Sequence, residues 1–357
     1  MKQTNKIKIR RFIYIIVGWI AAGQLMAVYE YFSVVGAPEL LGPGAKYCFS
    51  IVSASYFTGS IIGAISLGAF FIFFIHDRLR KKSFLRSQAI LLTASFIGIT
   101  ICVFLGSLIY NMIYFKSGLF DSRVIAEAIV YFKNGAYIKI LIMYMLVVAV
   151  TYSIFEISDK YGPGMLFLSL SGKYHKPVEE VRVFMFLDLK NSTGIAEKIG
   201  HIKFGYFIRD CFSELTDFIL NHKAQIYQYV GDEVILSWPT KDAIENCNCI
   251  NLFHNYSHHL KKKEKYYSDK YGVVPEFKAG INAGKVLTAE VGELKRELSY
   301  MGDVMNTTAR LLDMCREYQR DLLISTVIKL LLDTRAECGL RYNKIGDLTL
   351  RGKQQSI

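Results

Sequence analysis

Asp188 ends an apolar run, Val183 to Leu187, and is followed by Lys190, Asn191, Ser192 and Thr193 before a helix-like pattern begins. A run of this kind, with Phe184 and Phe186 in it, suits a strand buried on both faces. A carboxylate at the exposed end of such a strand can hold a divalent metal. The backbone N–H groups of the turn behind it, with a helix N-terminus following, can hold phosphates, which gives Asn191, Ser192 and Thr193 a phosphate-side role. Asp188 would serve equally well as a turn cap.

A second carboxylate stands at a turn. Residues 227–238 read as two strands joined at Gly231-Asp232, the glycine supplying a permissive backbone and Asp232 projecting from the tip. Gly-Asp is also an ordinary turn dipeptide. If the first strand lies beside this hairpin, Asp188 and Asp232 converge on one or two magnesium ions, hard cations that take oxygen ligands. Two such ions bridging a nucleotide polyphosphate stabilise the attacking and leaving oxygens in phosphoryl transfer.

The third group lies in residues 300–310. Asp303 opens a helix, and Asn306 and Arg310, four residues apart, share one of its faces. An amide that orients a sugar and a guanidinium that neutralises a pentavalent phosphate make a transition-state device. Taken alone, the same two residues are an ordinary surface pair.

The elements that must position these groups follow from the apolar pattern. Strands are expected at 181–188, 225–230 and 233–238, then at 276–282 and 285–291, with an edge segment at 296–300 and a further strand at 321–325. Helices are expected at 192–221 (with a break near Gly200), 240–265, 303–316 and 326–333, and a last hairpin at 340–351. The opening β-α-β-β-α-β order is that of a ferredoxin-like α+β core, a sheet with helices on one face.

The 357 residues suffice for two domains, and their 52% apolar content is concentrated before residue 157. Four apolar stretches, about 12–34, 49–75, 88–115 and 136–156, match the roughly 20 residues that cross a bilayer. Lys2, Lys6, Lys8, Arg10 and Arg11 precede the first, and Arg78, Arg80, Lys81, Lys82 and Arg86 lie between the second and third. By the positive-inside rule both termini are cytoplasmic, in a multi-pass protein of the plasma (inner) membrane. Glu30, Arg86 and Lys139 fall at span ends, where long side chains snorkel, so this half reads as an anchor and sensor and not as a transport pathway. Gly59, Gly63 and Gly68 suit close helix contacts.

The expected division is therefore a four-span α-helical membrane domain over 1–157, a juxtamembrane linker over 158–180 and a soluble domain over 181–357. Gly162-Pro163-Gly164 breaks the helix that leaves the membrane, and the linker either simply connects or transmits rearrangements of the spans. Much of the net charge of +12 flanks apolar runs, which argues against nucleic acid as a partner. Seven cysteines form no CxxC pair and no zinc spacing, so reduced thiols are expected.

Phe-Leu-Asp-Leu-x-x-Ser-Thr (186–193), Val-Gly-Asp-Glu (230–233), Gly-Ile-Asn-x-Gly (280–284) and Gly-Asp-x-x-Asn-x-x-x-Arg (302–310), in that order, resemble the class III nucleotidyl cyclase catalytic domain of adenylate and guanylate cyclases. The resemblance covers about residues 180–356. It implies a homodimer with shared sites, with Asp188 and Asp232, helped by the Leu189 carbonyl, holding two Mg²⁺ or Mn²⁺ ions per site. Asn306 would orient the ribose and Arg310 stabilise the transition state, both from the second copy. The 3′-hydroxyl would attack the α-phosphate and release pyrophosphate. Arg351 resembles the polyphosphate-binding cation, with Lys353 as the alternative.

Base recognition departs from the pattern. Where adenylate cyclases commonly place lysine with aspartate, threonine or serine, and guanylate cyclases glutamate with cysteine, this chain has Gln228 and Ser299. A glutamine amide both donates and accepts, and so can pair with either purine. The resemblance implies ATP as substrate, with GTP or mixed use as the alternative. A diguanylate cyclase would need Gly-Gly-Asp/Glu-Glu-Phe at the hairpin and gives Asn306 and Arg310 no part. A non-catalytic dimerisation or nucleotide-sensing module is the reading from a different class, and the joint presence of both carboxylates, Asn306 and Arg310 weighs against it.

Overall fold

The computed structural model describes residues 3–36, 47–79, 82–133, 135–161, 171–334, 339 and 341–346. The chain divides into one compact unit over Gln3–Asp159 and a second over Lys160–Ile357.

In the first unit, helix α1 spans Gln3–Gly36. Helix α2 begins at Phe49–Gly63 and continues through two π-helical stretches, Ala64–Gly68 and Phe71–Ile75, into His76–Leu79. Helix α3 spans Phe84–Phe115, α4 Ser122–Lys133 and α5 Gly135–Tyr161. Among the described residues, four segments are long and apolar enough to cross a membrane: Asn5–Gly36, Phe49–Ile75, Phe84–Ile113 and Tyr137–Lys160. Helix α4, absent from the sequence reading, is too short to span; it buries Val124 and Ala128, four apart on one face, against Leu108 of α3.

Small residues let these helices approach, as their spacing in the sequence suggested. A Cβ at Gly63 would meet the Trp19 ring at 3.2 Å, and one at Gly68 would meet Ile15 at 2.9 Å. Charged residues near the ends of these helices form pairs. Glu30 of α1 accepts from Lys139 Nζ of α5 at 2.7 Å and from the Tyr56 hydroxyl of α2 at 2.8 Å. At the other end of the same three helices, Arg11 is ion-paired with Asp159, and His76 Nε2 lies 3.4 Å from the same carboxylate.

In the second unit the strands are β1 (Val178–Leu189), β2 (Gln225–Val230), β3 (Glu233–Pro239), β4 (Phe277–Val291), β5 (Glu297–Met301) and β6 (Leu322–Ile324). The helices are α6 (Ser192–Ile199), α7 (His201–Asn221), α8 (Asn248–Lys262), α9 (Glu264–Tyr271), α10 (Asp303–Glu317) and α11 (Thr326–Asp333). The sheet runs β2-β3-β1-β4-β5, antiparallel throughout, with β6 parallel to the start of β4. The order β4-β1-β3-β2 is the expected ferredoxin-like arrangement, with the first strand between the hairpin and the fourth strand.

Period-two alternation divides the sheet into two faces. Val183, Met185 and Leu187 of β1 pack with Val234 and Leu236 of β3 under α7 and α8, where Phe207, Leu215, Leu252 and Tyr256 complete the main core. Phe184 and Phe186 face the other way and pack with Ile235, Val286, Tyr300, Val304 and Leu312. Helix α10 crosses that second face at Gly280. A Cβ there would fall 2.6 Å from the Leu312 nitrogen and 2.7 Å from the Thr308 carbonyl oxygen, so only glycine admits the helix.

Two of the expected elements change. The strands expected at 276–282 and 285–291 are one 15-residue strand, because Gly284 does not turn the chain but lies flat beneath Val304 while β1 pairs continuously from Val178 to Leu189. The helix expected at 240–265 is broken at Asn246 and Cys247, both left-handed in φ, and is followed by the separate helix α9. The hairpin expected at 340–351 lies mostly outside the described residues, and 341–346 carry no strand. Cys48, Cys102, Cys211, Cys249 and Cys315 are free thiols, as expected, whereas Cys247 is disulfide-bonded. Burial pushes Cys211 and Cys249 up to about 12, which keeps them protonated and unreactive.

Candidate active site

Strand β1 delivers Asp188 to the edge of the second face, in line with Phe184 and Phe186. Leu189 points into the core on the opposite side, so its carbonyl is the only part of it that could reach a metal. Beside β1, the β2–β3 hairpin turns at Gly231, whose φ of +63° suits glycine, and Asp232 follows at the tip. The register pairs Asp188 with Glu233.

The two aspartates meet at this corner. Burial raises the Asp188 carboxyl above its ordinary value, Lys278 opposes that rise, and the charge and hydrogen bond of Asp232 add to it. Lys278, paired with Asp188 across β4, puts its Nζ 3.1 Å from the carboxylate. Burial, with Asp188 and Asp232 nearby, pushes Glu233 up to about 7. Among the described residues no three His, Cys, Asp or Glu side chains cluster as a metal-binding group. The two facing carboxylates do fit a hard divalent cation, since one between them would relieve their repulsion.

Beyond β1, Asn191 takes the left-handed conformation (φ +53°) ahead of α6, and no side chain caps that helix start. Asn191 lies over Gly194, where a Cβ would sit 2.7 Å from its Oδ1. Ser192 and Thr193 form the first turn of α6, its unpaired N–H groups next to the Asp188 corner. Lys190 is held to Glu276 and Asp321.

Asn306 and Arg310 lie on the outward side of α10, opposite Val304, Thr308 and Leu311, which are buried against the sheet. Among the described residues neither side chain has a hydrogen-bond or ion-pair partner. Within one chain they therefore point away from the helix–sheet contact.

A third region gathers around Gln228. A bulge between Ile226 and Gln228 shifts the β2–β3 register, so Tyr227 and Gln228 both face the side of the sheet shared by Ile235 and Tyr300. Their cleft is also lined by Gln225, Ser237 and Leu298. Ser299 is not brought to it. Alternation along β5 gives Ser299, opposite Ala289, the face away from Leu298 and Tyr300. Arg351 and Lys353 lie outside the described residues.

Sequence reasoning did not single out Lys278, Glu233 or Arg182. Arg182 was detectable as a lone charge in phase with Phe184, Phe186 and Asp188. Lys278 became visible only through the β1–β4 register.

Residues 173–357, just over half the chain, match the adenylate and guanylate cyclase catalytic domain. Adenylate cyclase 2 of Rhizobium meliloti (strain 1021) is 34% identical over 193 residues, covering 54% of this chain and 53% of that protein. The chain thus spans about half the length of that curated relative. Among solved structures, a bacterial light-regulated adenylyl cyclase aligns with a TM-score of 0.49 at 18% identity, over 57% of this chain and 60% of that one. The adenylyl cyclase CyaB of P. aeruginosa aligns at 0.44 and 18%, over 51% and 92%. The domain match takes in every described group at the carboxylate corner, the hairpin and α10, and the chain belongs to the family of adenylate and guanylate cyclase catalytic domains.

Proposed function

We propose that the protein is a membrane-bound adenylate cyclase that converts ATP to 3′,5′-cyclic AMP and pyrophosphate at sites shared between two copies of the chain. The observation that carries this reading is the meeting of Asp188 and Asp232 where β1 ends beside the hairpin tip. ATP is favoured over GTP by the relative named as an adenylate cyclase.

Asp188, Asp232 and the Leu189 carbonyl would hold Mg²⁺ or Mn²⁺, two ions per site. When bound, the metal supplies positive charge to the polyphosphate oxygens and to the attacking hydroxyl. The N–H groups at Asn191, Ser192 and Thr193 orient phosphate oxygens, with Arg351 or Lys353 closing on the polyphosphate. The ribose 3′-oxygen forms a bond to the α-phosphorus, loses its proton to solvent, and the bond to the pyrophosphate oxygen breaks. Asn306 of a second copy holds the ribose, and its Arg310 compensates the charge gathering on the α-phosphate. That both residues face outward and have no side-chain partner among the described residues supports a site completed by another chain. On this reading residues 1–157 anchor the enzyme in the plasma (inner) membrane with both termini cytoplasmic, 158–180 connect, and 181–357 catalyse.

The test is turnover by the detergent-solubilised full chain with ATP and with GTP, each with Mg²⁺ and with Mn²⁺, separating cyclic products from linear dinucleotides. Cyclic AMP, lost in Asp232→Ala, is the expected result. Cyclic GMP as the main product would reverse the substrate, and absence of any product would overturn the catalytic reading.

A further inference from the structure

Arg182 is 5% exposed in the middle of a sheet, a costly place for a charge unless it is held on several sides. It is held in that way. Nη2 donates to Ser237 Oγ at 3.1 Å and to Gln225 Oε1, and Nη1 donates to Glu180 Oε2 at 3.2 Å. Nε donates to nothing among the described residues. The guanidinium lies 5.0 Å from the centre of the Tyr300 ring. Tyr300 in turn packs against Phe184 at 5.2 Å and against Tyr227 at 4.8 Å, tilted at 59°.

The arrangement points toward the base end of the site. The bulge after Ile226 turns Tyr227 to the same face as Gln228, so the cation–ring–ring stack ends beside the amide that reads the base. Ser299, the other residue expected to read the base, is on the opposite face of β5. A guanidinium beneath an aromatic ring fixes the ring by electrostatic attraction and by its planar fork of donors, and lysine cannot reproduce that fork.

We infer, on the cyclase reading of the site, that Arg182 is a positioning residue for the nucleotide base: it holds Tyr300 and Tyr227 as the wall against which the purine lies, and this wall with Gln228 sets the choice between ATP and GTP. Arg182 acts on this reading through Tyr300 and the side chains of Ser237, Gln225 and Glu180. Its loss therefore weakens and blurs base binding without slowing the chemical step.

The test compares wild-type full chain in detergent with Arg182→Lys, Tyr300→Phe and Tyr300→Leu. Each is assayed with ATP and GTP, and binding of a non-hydrolysable ATP analogue is measured by calorimetry. Arg182→Lys is expected to raise KM for ATP about tenfold, to weaken analogue binding by a similar factor, to leave kcat within about twofold and to lower the ATP-to-GTP preference. Tyr300→Leu should do the same, and Tyr300→Phe, which keeps the ring, should retain more of the ATP affinity and of the ATP-to-GTP preference than Tyr300→Leu. Equal losses of kcat for both nucleotides with KM and analogue binding unchanged would reduce Arg182 to a structural residue and overturn the inference. If Arg182→Lys does not fold, as judged by far-ultraviolet circular dichroism, the two Tyr300 variants decide it. A wild-type chain that binds the analogue without turnover would sink the catalytic reading while the binding comparison still judged Arg182. A wild-type chain that neither turns over ATP or GTP nor binds the analogue would overturn both.

Discussion

Lys278 faces Asp188 across the β1–β4 ladder, with its ammonium 3.1 Å from the carboxylate that the cyclase reading assigns to metal. A cation built into the sheet thus offsets the repulsion between Asp188 and Asp232 before any metal arrives. Lys278→Met should lower the melting temperature of the metal-free protein. It should also enlarge the rise produced by added Mn²⁺, since the metal then relieves the whole repulsion. Equal increments in variant and wild type would show that the lysine does not share this task.

The outward placement of Asn306 and Arg310 makes a stoichiometric prediction. Asp188→Ala and Arg310→Ala should each abolish cyclase turnover. Co-expressed, they should recover about a quarter of wild-type activity, because half of randomly paired dimers are mixed and each mixed dimer has one intact site of two. No recovery from well-expressed mixed dimers would place all four residues in one chain's site.

Gly280 is where the sheet meets the helix that carries Asn306 and Arg310. In Gly280→Ala the new methyl group would collide with backbone atoms of Thr308 and Leu312, which cannot rotate aside. The expected cost is about 1–3 kcal/mol of stability. Turnover should fall further than that loss explains, because α10 is displaced together with Asn306 and Arg310, to which the cyclase reading assigns the ribose and the transition state. Unfolding followed by Trp238 fluorescence in a Trp19→Phe background, alongside product formation, separates the two effects.

His222 gives the catalytic unit a pH-dependent stability. Its Nδ1 lies 2.9 Å from the Phe218 carbonyl oxygen and its Nε2 lies 3.1 Å from Asn255 Nδ2, a pattern that a neutral ring satisfies by donating from Nδ1 and accepting at Nε2. Burial lowers its pKa below the ordinary value, against a smaller opposing effect of the Phe218 hydrogen bond. The unfolded chain therefore takes up a proton at about pH 6.5 that the folded chain still refuses, and stability falls as pH drops below that point. Trp238, which donates to the His222 carbonyl at 2.8 Å, reports on this region once Trp19 is replaced by phenylalanine. The unfolding midpoint should decline between about pH 6.5 and 5, and His222→Gln should flatten the decline. An unchanged slope would assign it to other groups.

Within the bundle, the Glu30–Lys139 pair predicts an asymmetry between single and double variants. Glu30→Gln or Lys139→Met alone leaves a lone charge near the end of a long apolar helix and should lower the melting temperature of the solubilised chain. The double variant should recover most of the loss. Additive losses would mean that the two residues act separately.

The parts of this fold that were readable in the sequence are those governed by local rules. The Gly231-Asp232 turn fixed the β2–β3 hairpin within a residue, and Gly200 broke α6 from α7 where its pattern indicated. Asp188 was visible because a buried strand must end before a carboxylate is exposed. What escaped was relational. Gly284 looks like a turn until β1 is laid beside it, and Lys278 is about 90 residues from Asp188 in sequence and opposite it only in the sheet register. The face on which Ser299 lies depends on the phase of a five-residue edge strand, and one residue of slip reverses it. The bulge that puts Tyr227 and Gln228 on one face of the sheet leaves no sequence signature of its own.

The unbroken length of β4 has a mechanical consequence. From Lys278 to Glu290 it covers roughly 40 Å at about 3.3 Å per residue. One end carries the ammonium that faces Asp188. At the other, the Glu290 N–H donates to the Tyr174 carbonyl at 3.0 Å and its carboxylate lies 3.2 Å from His175. Paired along most of its length, such a strand behaves as a stiff rod and not as a string. A small tilt imposed at Tyr174 would arrive at the carboxylate corner as a displacement, without passing through the nucleotide at all.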